Sequence, residues 1–197
     1  MVTSAGGAPG RTHADVARAA VEGGATAVQL RAPDLDEEAL TAAARRVGSI
    51  CRERGVLFVV NDSLEAATVS GADGVHLGQR DDPYRARDAL GPDMVLGISV
   101  EDPEQSRRAE EAGADYLGVT VWATATKPGA IPHGLEGVRE VVAATGLPVI
   151  GIGGIHAGNA GKVLAAGAAG VAVVSAVGAA ADPVAATLEL AAAVGLS

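Results

Sequence analysis

The chain has 197 residues, of which 48% are hydrophobic, 20% charged and 2% aromatic, and its formal net charge is −9. That length suits a single domain over residues 1–197 with a sizeable core, and the low charge content argues against disorder. The negative balance and the scarcity of aromatic rings argue against nucleic acid and anionic membrane as partners.

Alanine and glycine supply 42 and 27 residues, a composition suited to close helix–sheet packing and tight turns. Only Lys127 and Lys162 accompany thirteen arginines, so an anionic ligand must be held by local cations against the overall field. The lone Cys51 excludes an internal disulfide and fits a reducing, cytoplasmic compartment. No basic start leads into an apolar run, so no secretory signal is expected. Residues 163–181 carry no charge. That run nears the length of a membrane span, but Gly167–Gly170 interrupts it, and a helix end, a turn and a buried strand explain it better.

Short apolar runs rich in Val, Ile and Leu predict strands at Met1–Ser4, Ala25–Arg31, Val56–Val60, Gly74–Leu77, Val95–Ser99, Tyr116–Val121, Pro148–Gly151 and Val171–Ser175. Amphipathic stretches between them predict helices at His13–Glu22, Asp36–Arg54, Leu64–Val69, Pro83–Leu90, Pro103–Ala112, Leu135–Ala144, Ala157–Ala166 and Pro183–Val194. Asp102-Pro103 and Asp182-Pro183 are clear helix starts. A Gly-Ala pair stands before a strand at Gly24, Gly71, Gly113 and Gly167, at spacings of 47, 42 and 54 residues. Each interval fits two strand–helix units, and eight such units predict an α/β fold, a single (β/α)8 TIM barrel. The first strand is the weak point: it is abbreviated, or the chain lacks its natural start, and Ala5–Arg11 reads as a flexible loop.

In such a barrel, ligands sit at the carboxyl ends of the strands. Strand two ends Gln29-Leu30-Arg31, strand three runs into Asn61-Asp62, and strand four leads through His76 to Gln79 and Asp81. Strand five ends in Ser99, strand six leads into Thr124-Ala125-Thr126-Lys127, strand seven ends Gly151-Ile152-Gly153-Gly154, and strand eight ends in Ser175. Asp62 and Asp81, on neighbouring strand ends without a His or Cys nearby, suit Mg²⁺ bound together with substrate phosphate oxygens. Arg31 offers a planar fork for phosphate and Lys127 a mobile point charge. The glycines after strands seven and eight leave backbone N–H groups for a second phosphate.

Each residue also has a plainer role open to it. Asp62 suits a helix N-cap, and Asp81 or Asp82 a cap for the helix beginning at Pro83. Gly153-Gly154 alone is a turn and Lys127 alone a solvated loop lysine. His76 reads as a hydrogen-bonded interior residue, Cys51 as an inert core thiol, and His133 and His156 as loop residues without a nucleophile to serve. The joint pattern favours the phosphate-site reading.

The runs Val28–Arg31, Asn61-Asp62, Gly74–Asp81 (GVHLGQRD), Gly97–Ser99, Asp115–Val119, Thr124–Lys127 (TATK), Gly151–Ile155 (GIGGI) and Val173–Ala176 together resemble the thiamine phosphate synthase family, in order and spacing, over nearly the whole chain. The resemblance implies a transferase of thiamine biosynthesis with the barrel fold. It would condense 4-amino-2-methyl-5-(diphosphooxymethyl)pyrimidine with 4-methyl-5-(2-phosphooxyethyl)thiazole to thiamine phosphate and pyrophosphate. It further implies Asp62 and Asp81 as Mg²⁺ ligands, and Gln29, Arg31, Asn61, Ser99 and Lys127 around the pyrimidine diphosphate. Thr124, Thr126, Gly153, Gly154, Val174 and Ser175 would hold the thiazole phosphate. Of these, Arg31, Lys127 and Ser99 would act in catalysis by Mg²⁺-assisted dissociative substitution.

Two departures stand out. Pro33 replaces a lysine usual in the family, and the loss of one charge-assisted phosphate contact is worth roughly 1.5–3 kcal/mol. Thr120-Val121-Trp122-Ala123 replaces the usual Gly-Pro before the TATK loop, which is shorter. The alternatives are a thiazole tautomerase of similar fold and a non-catalytic paralogue that binds a thiazole or thiamine phosphate. The expected partners are small phosphorylated substrates; homo-oligomers are common among soluble enzymes, and no interface signature stands out here.

Overall fold

In the computed structural model, which describes residues 1–4, 8, 10–79 and 81–196, all four Gly-Ala pairs close a helix in the same way. Gly24, Gly71, Gly113 and Gly167 take φ of +88, +67, +84 and +101°. The amide of the alanine that follows reaches the carbonyl five residues back: Ala25 to Ala20 at 2.9 Å, Ala72 to Ala67 and Ala114 to Ala109 at 3.0 Å, Ala168 to Val163 at 3.3 Å. This left-handed ending satisfies an orphan helix carbonyl and turns the chain into the next strand.

The strands are β1 (Val2–Thr3), β2 (Ala27–Leu30), β3 (Leu57–Asn61), β4 (Gly74–Leu77), β5 (Val95–Ser99), β6 (Tyr116–Thr120), β7 (Val149–Ile152) and β8 (Gly170–Ala172). They alternate with α1 (His13–Glu22), α2 (Glu37–Arg52), α3 (Leu64–Ser70), α4 (Pro83–Leu90), α5 (Pro103–Glu111), α6 (Gly134–Ala144) and α7 (Ala157–Ala165), and β8 is followed by α8 (Ser175–Gly178) and α9 (Pro183–Ala193). One eight-stranded sheet runs in chain order from β1 to β8. The pairings β1–β2, β2–β3, β5–β6, β6–β7 and β7–β8 are parallel. Parallel neighbours in chain order with a helix after each strand are the (β/α)8 architecture.

Helix starts follow side-chain caps. Thr12, Asp36, Ser63, Asp82, Asp102 and Asp182 each accept an amide of the first turn of the helix that follows. Strand eight differs from expectation. It ends at Ala172, and Ser175 opens the short helix α8, because Val174 leaves the extended region at φ −115°, ψ −81°. The first strand is short, as expected, with two residues. The expected 5–11 loop lies in large part outside the described residues, but Arg11 is described and anchored. It donates to the carbonyls of Gly178 and Ala180 at 3.0 and 2.9 Å.

Packing divides the chain into two compact units, Met1–Val75 with the chain from Val174 onward, and His76–Val173. In the first unit the core is Val28, Leu30, Phe58 and Val60 from the strands, with Val16, Ala17, Ala20, Ala44, Val47 and Cys51 from the helices. Gly48 lets α2 lie close on Phe58, since a Cβ there would stand 3.1 Å from the ring. In the second unit Leu96, Ile98, Leu117, Val119, Val121 and Val149 meet Val138, Val141, Ala160 and Val163. Consecutive buried residues along β3 and β6 are what a sheet covered on both faces produces. Among the described residues no helix is long and apolar enough to cross a membrane. The uncharged 163–181 run is the end of α7, a glycine turn, β8 and α8.

Candidate active site

In the first unit, Gln29 lies within β2 and Arg31 just beyond it, both half-buried. The Arg31 amide donates weakly to the fully buried Thr3 hydroxyl at 3.4 Å, and that hydroxyl lies 2.9 Å from His13 Nδ1. Burial lowers the His13 pKa below its ordinary value. Thr3, at the end of β1, and His13, at the start of α1, form a contact beside Arg31's amide that the sequence did not single out. A two-residue strand gives no periodicity from which to read them.

Asn61 is the last residue of β3 and Asp62 follows it. Asp62 is not the helix cap: Ser63 takes that role, accepting the Ala66 amide at 2.9 Å. Asp62 is also the one non-glycine among the described residues with positive φ, at 65°. Aspartate tolerates that region better than most residues but still at some cost, and such strain collects at functional sites. Pro33 is exposed, and Val174 and Ser175 stand at the start of α8.

The four-residue β4 leads to Asp81, an exposed residue of the second unit. Its Oδ2 accepts the Gly78 amide at 2.8 Å, and Asp82, not Asp81, caps α4 through the Tyr84 amide at 3.1 Å. Arg80, between Gln79 and Asp81, lies outside the described residues. Gln79 donates to Glu101 at 2.9 Å.

His76 is buried, with Nδ1 2.9 Å from the Tyr116 hydroxyl and Nε2 3.0 Å from the Ser99 hydroxyl. It is the hydrogen-bonded interior residue expected. Burial, and then the Lys127 cation, push its pKa down to about 4. Lys127 is exposed on its loop, yet its charge is felt at the imidazole that holds Ser99. Tyr116 is a residue the sequence reading missed. Gly97 and Gly118, glycines inside strands, were the available signal for close approach there.

Thr124 and Thr126 share a hydroxyl–hydroxyl hydrogen bond of 2.9 Å. Gly153 and Gly154, at φ +94 and +63°, turn the chain after β7. A Cβ at Gly153 would stand 2.6 Å from the Trp122 carbonyl oxygen, and one at Gly154 2.9 Å from Trp122 Cβ. The turn therefore has a packing reason of its own. His156 caps α7 by accepting the Gly158 amide at 3.2 Å. His133 precedes α6, and its buried Nε2 has no hydrogen-bond partner among the described residues. Cys51 is buried and its thiol is pushed up to about 11, chiefly by desolvation, which fits an inert core residue. No group of three His, Cys, Asp or Glu side chains able to hold a metal occurs among the described residues.

The strand ends carry polar residues, and that is where a (β/α)8 enzyme binds its small-molecule substrates. The thiamine monophosphate synthase family model matches residues 1–177. A thiamine-phosphate synthase of Moorella thermoacetica is 46% identical over 96% of this chain and 91% of its own. One of Albidiferax ferrireducens is 48% identical over 96% and 88%. The structure of a thiamine phosphate pyrophosphorylase from Pyrococcus furiosus superposes with a TM-score of 0.88 at 37% identity, covering 98% of this chain and 93% of that one. The chain belongs to the thiamine monophosphate synthase family. It is a transferase of thiamine biosynthesis with the TIM-barrel fold, and its activity is thiamine phosphate synthesis.

Proposed function

We propose that the chain, a single domain of residues 1–197 in the cytoplasm, performs this synthesis with Mg²⁺ held by Asp62 and Asp81. One observation carries the assignment: neither aspartate caps the helix that follows it, since Ser63 and Asp82 do so. Both are exposed carboxylates, hard oxygen donors of the kind Mg²⁺ takes alongside phosphate oxygens. Bound there, Mg²⁺ would neutralise charge on the departing pyrophosphate.

The other residues bind and orient. The Arg31 guanidinium forks onto the pyrimidine diphosphate, Lys127 adds a point charge, and the Ser99 hydroxyl and the Gln29 and Asn61 amides complete the contacts. Thr124, Thr126, the Gly153-Gly154 turn and Val174-Ser175 hold the thiazole phosphate with its ring nitrogen toward the pyrimidine methylene. As the methylene–oxygen bond ionises, negative charge grows on the pyrophosphate, which Arg31 and Lys127 would stabilise, and the thiazole nitrogen captures the methylene carbon. No protein nucleophile is needed. His76, the interior histidine at Ser99, is neutral at ordinary pH and is engaged at both ring nitrogens.

The test is Asp81→Ala. We expect magnesium-dependent turnover to vanish while thiazole phosphate binding, followed by calorimetry, is retained. Turnover near that of the unaltered chain would remove Asp81 from the metal site.

A further inference from the structure

His76, Tyr116 and Ser99 form one hydrogen-bonded line within the unit His76–Val173. Its geometry is held by two glycines of neighbouring strands. Gly97 is the register partner of Tyr116, and a Cβ at Gly97 would collide with the phenol ring. Gly118 is the register partner of Ser99, and a Cβ there would stand 3.1 Å from His76 Cε1. The imidazole and the phenol therefore fill space that only glycine leaves.

A neutral imidazole has one donor and one acceptor nitrogen, and His76 is neutral at ordinary pH. Two arrangements satisfy the line. With the hydrogen on Nδ1, that nitrogen donates to the Tyr116 oxygen and Nε2 takes the Ser99 hydrogen, so Ser99 presents only lone pairs to a ligand. With the hydrogen on Nε2, it donates to Ser99 Oγ, the Tyr116 hydroxyl donates to Nδ1, and the Ser99 hydrogen is released to point at a ligand. An anionic diphosphate accepts hydrogen bonds and donates none, so only the second arrangement serves it.

The geometry points to Tyr116 and His76 as positioning residues: Tyr116 fixes the Nε2–H tautomer of His76, and His76 makes Ser99 a hydrogen-bond donor toward the diphosphate. This rests on Ser99 being a diphosphate ligand, as proposed above. Fixing the hydroxyl before the substrate arrives removes a reorganisation that the reaction would otherwise require at the moment of charge development.

Nitrogen-15 NMR of histidine-labelled protein reads the tautomer directly, with the His76 signals assigned by their loss in His76→Gln. The unaltered chain should show Nε2–H, and Tyr116→Phe, which keeps the ring, should shift His76 toward Nδ1–H. Tyr116→Phe should also weaken binding of pyrophosphate, the probe here, by about tenfold in the presence of Mg²⁺, and lower kcat by a similar factor. His76→Gln, whose amide can still donate to Ser99, should retain more turnover than His76→Ala. An Nδ1–H tautomer in an active unaltered chain, or pyrophosphate binding indifferent to Tyr116→Phe, would overturn the inference alone. An Nε2–H tautomer with tight pyrophosphate binding but no thiamine phosphate formed would instead overturn the functional reading.

Discussion

Burial and the Lys127 cation hold His76 at about 4, against 6.5 for an unperturbed imidazole. Between those values the unfolded chain binds a proton that the folded chain does not, so stability rises with pH across the window and is lost as pH falls through it. The shift corresponds to about 3 kcal/mol, complete only below the folded value. His76→Gln carries no such group, while His13, also lowered by burial, is common to both proteins and cancels. Urea unfolding between pH 6.5 and 4 should therefore show the unaltered chain losing about 2–3 kcal/mol more than His76→Gln, the larger part of the total. Parallel curves would contradict the buried, neutral imidazole. The interior role of His76 was legible from its mid-strand position, but Tyr116 was not, because that contact depends on the register of neighbouring strands. Asp62 and Asp81 were legible as strand-end carboxylates. That Ser63 and Asp82 take the caps was not, because Asp62-Ser63 and Asp81-Asp82 each offer two adjacent candidates, and sequence alone does not choose between them.

Among the elements, the α4–β5 region depends on one side chain. The Arg87 guanidinium donates to the carbonyls of Gly91 at 2.7 Å, Met94 at 2.8 Å and Gly113 at 3.0 and 2.8 Å, and to Asp115 at 2.7 Å. Asp115 Oδ2 also accepts the Leu96 amide at 2.7 Å, so the same carboxylate fixes the start of β5. Arg87 is only 18% exposed and Asp115 50%, so the pair is partly screened and worth less than a fully buried one. Arg87→Met keeps the apolar stem but strands these acceptors. It should cost about 2–3 kcal/mol by urea unfolding, without changing kcat where the protein stays folded. A loss under about 0.5 kcal/mol would show that the carbonyls are satisfied by water instead. Helix starts were legible wherever a capping residue met proline, as at Asp102-Pro103 and Asp182-Pro183, and the Gly-Ala endings were legible as a repeat. The end of β8 was not: Val171–Ser175 reads as one apolar run, and only the turn at Val174 separates strand from the short α8.

At the scale of the molecule, a net charge of −9 opposes two phosphorylated substrates. Screening limits that opposition, since at physiological ionic strength charges more than about 8 Å apart interact weakly through solvent. On the assignment proposed above, Arg31 and Lys127 would decide binding at short range, and Pro33, where the resemblance implies a lysine, would leave Arg31 with a larger share of it. The repeat of strand and helix was readable because eight apolar runs and four matching turns agree with one architecture. The activity was readable from the resemblance of motifs such as GVHLGQRD, TATK and GIGGI, in order along the chain, while the polar strand ends by themselves said only where this architecture binds ligands. The most direct test of the whole reading is pyrophosphate release by the purified chain, with and without Mg²⁺, each substrate being omitted in turn. Release that requires Mg²⁺ and both substrates, with one thiamine phosphate formed for each pyrophosphate, is the predicted result. No release while thiazole phosphate still binds would contradict it and direct attention to proton transfer on the thiazole or to binding without turnover.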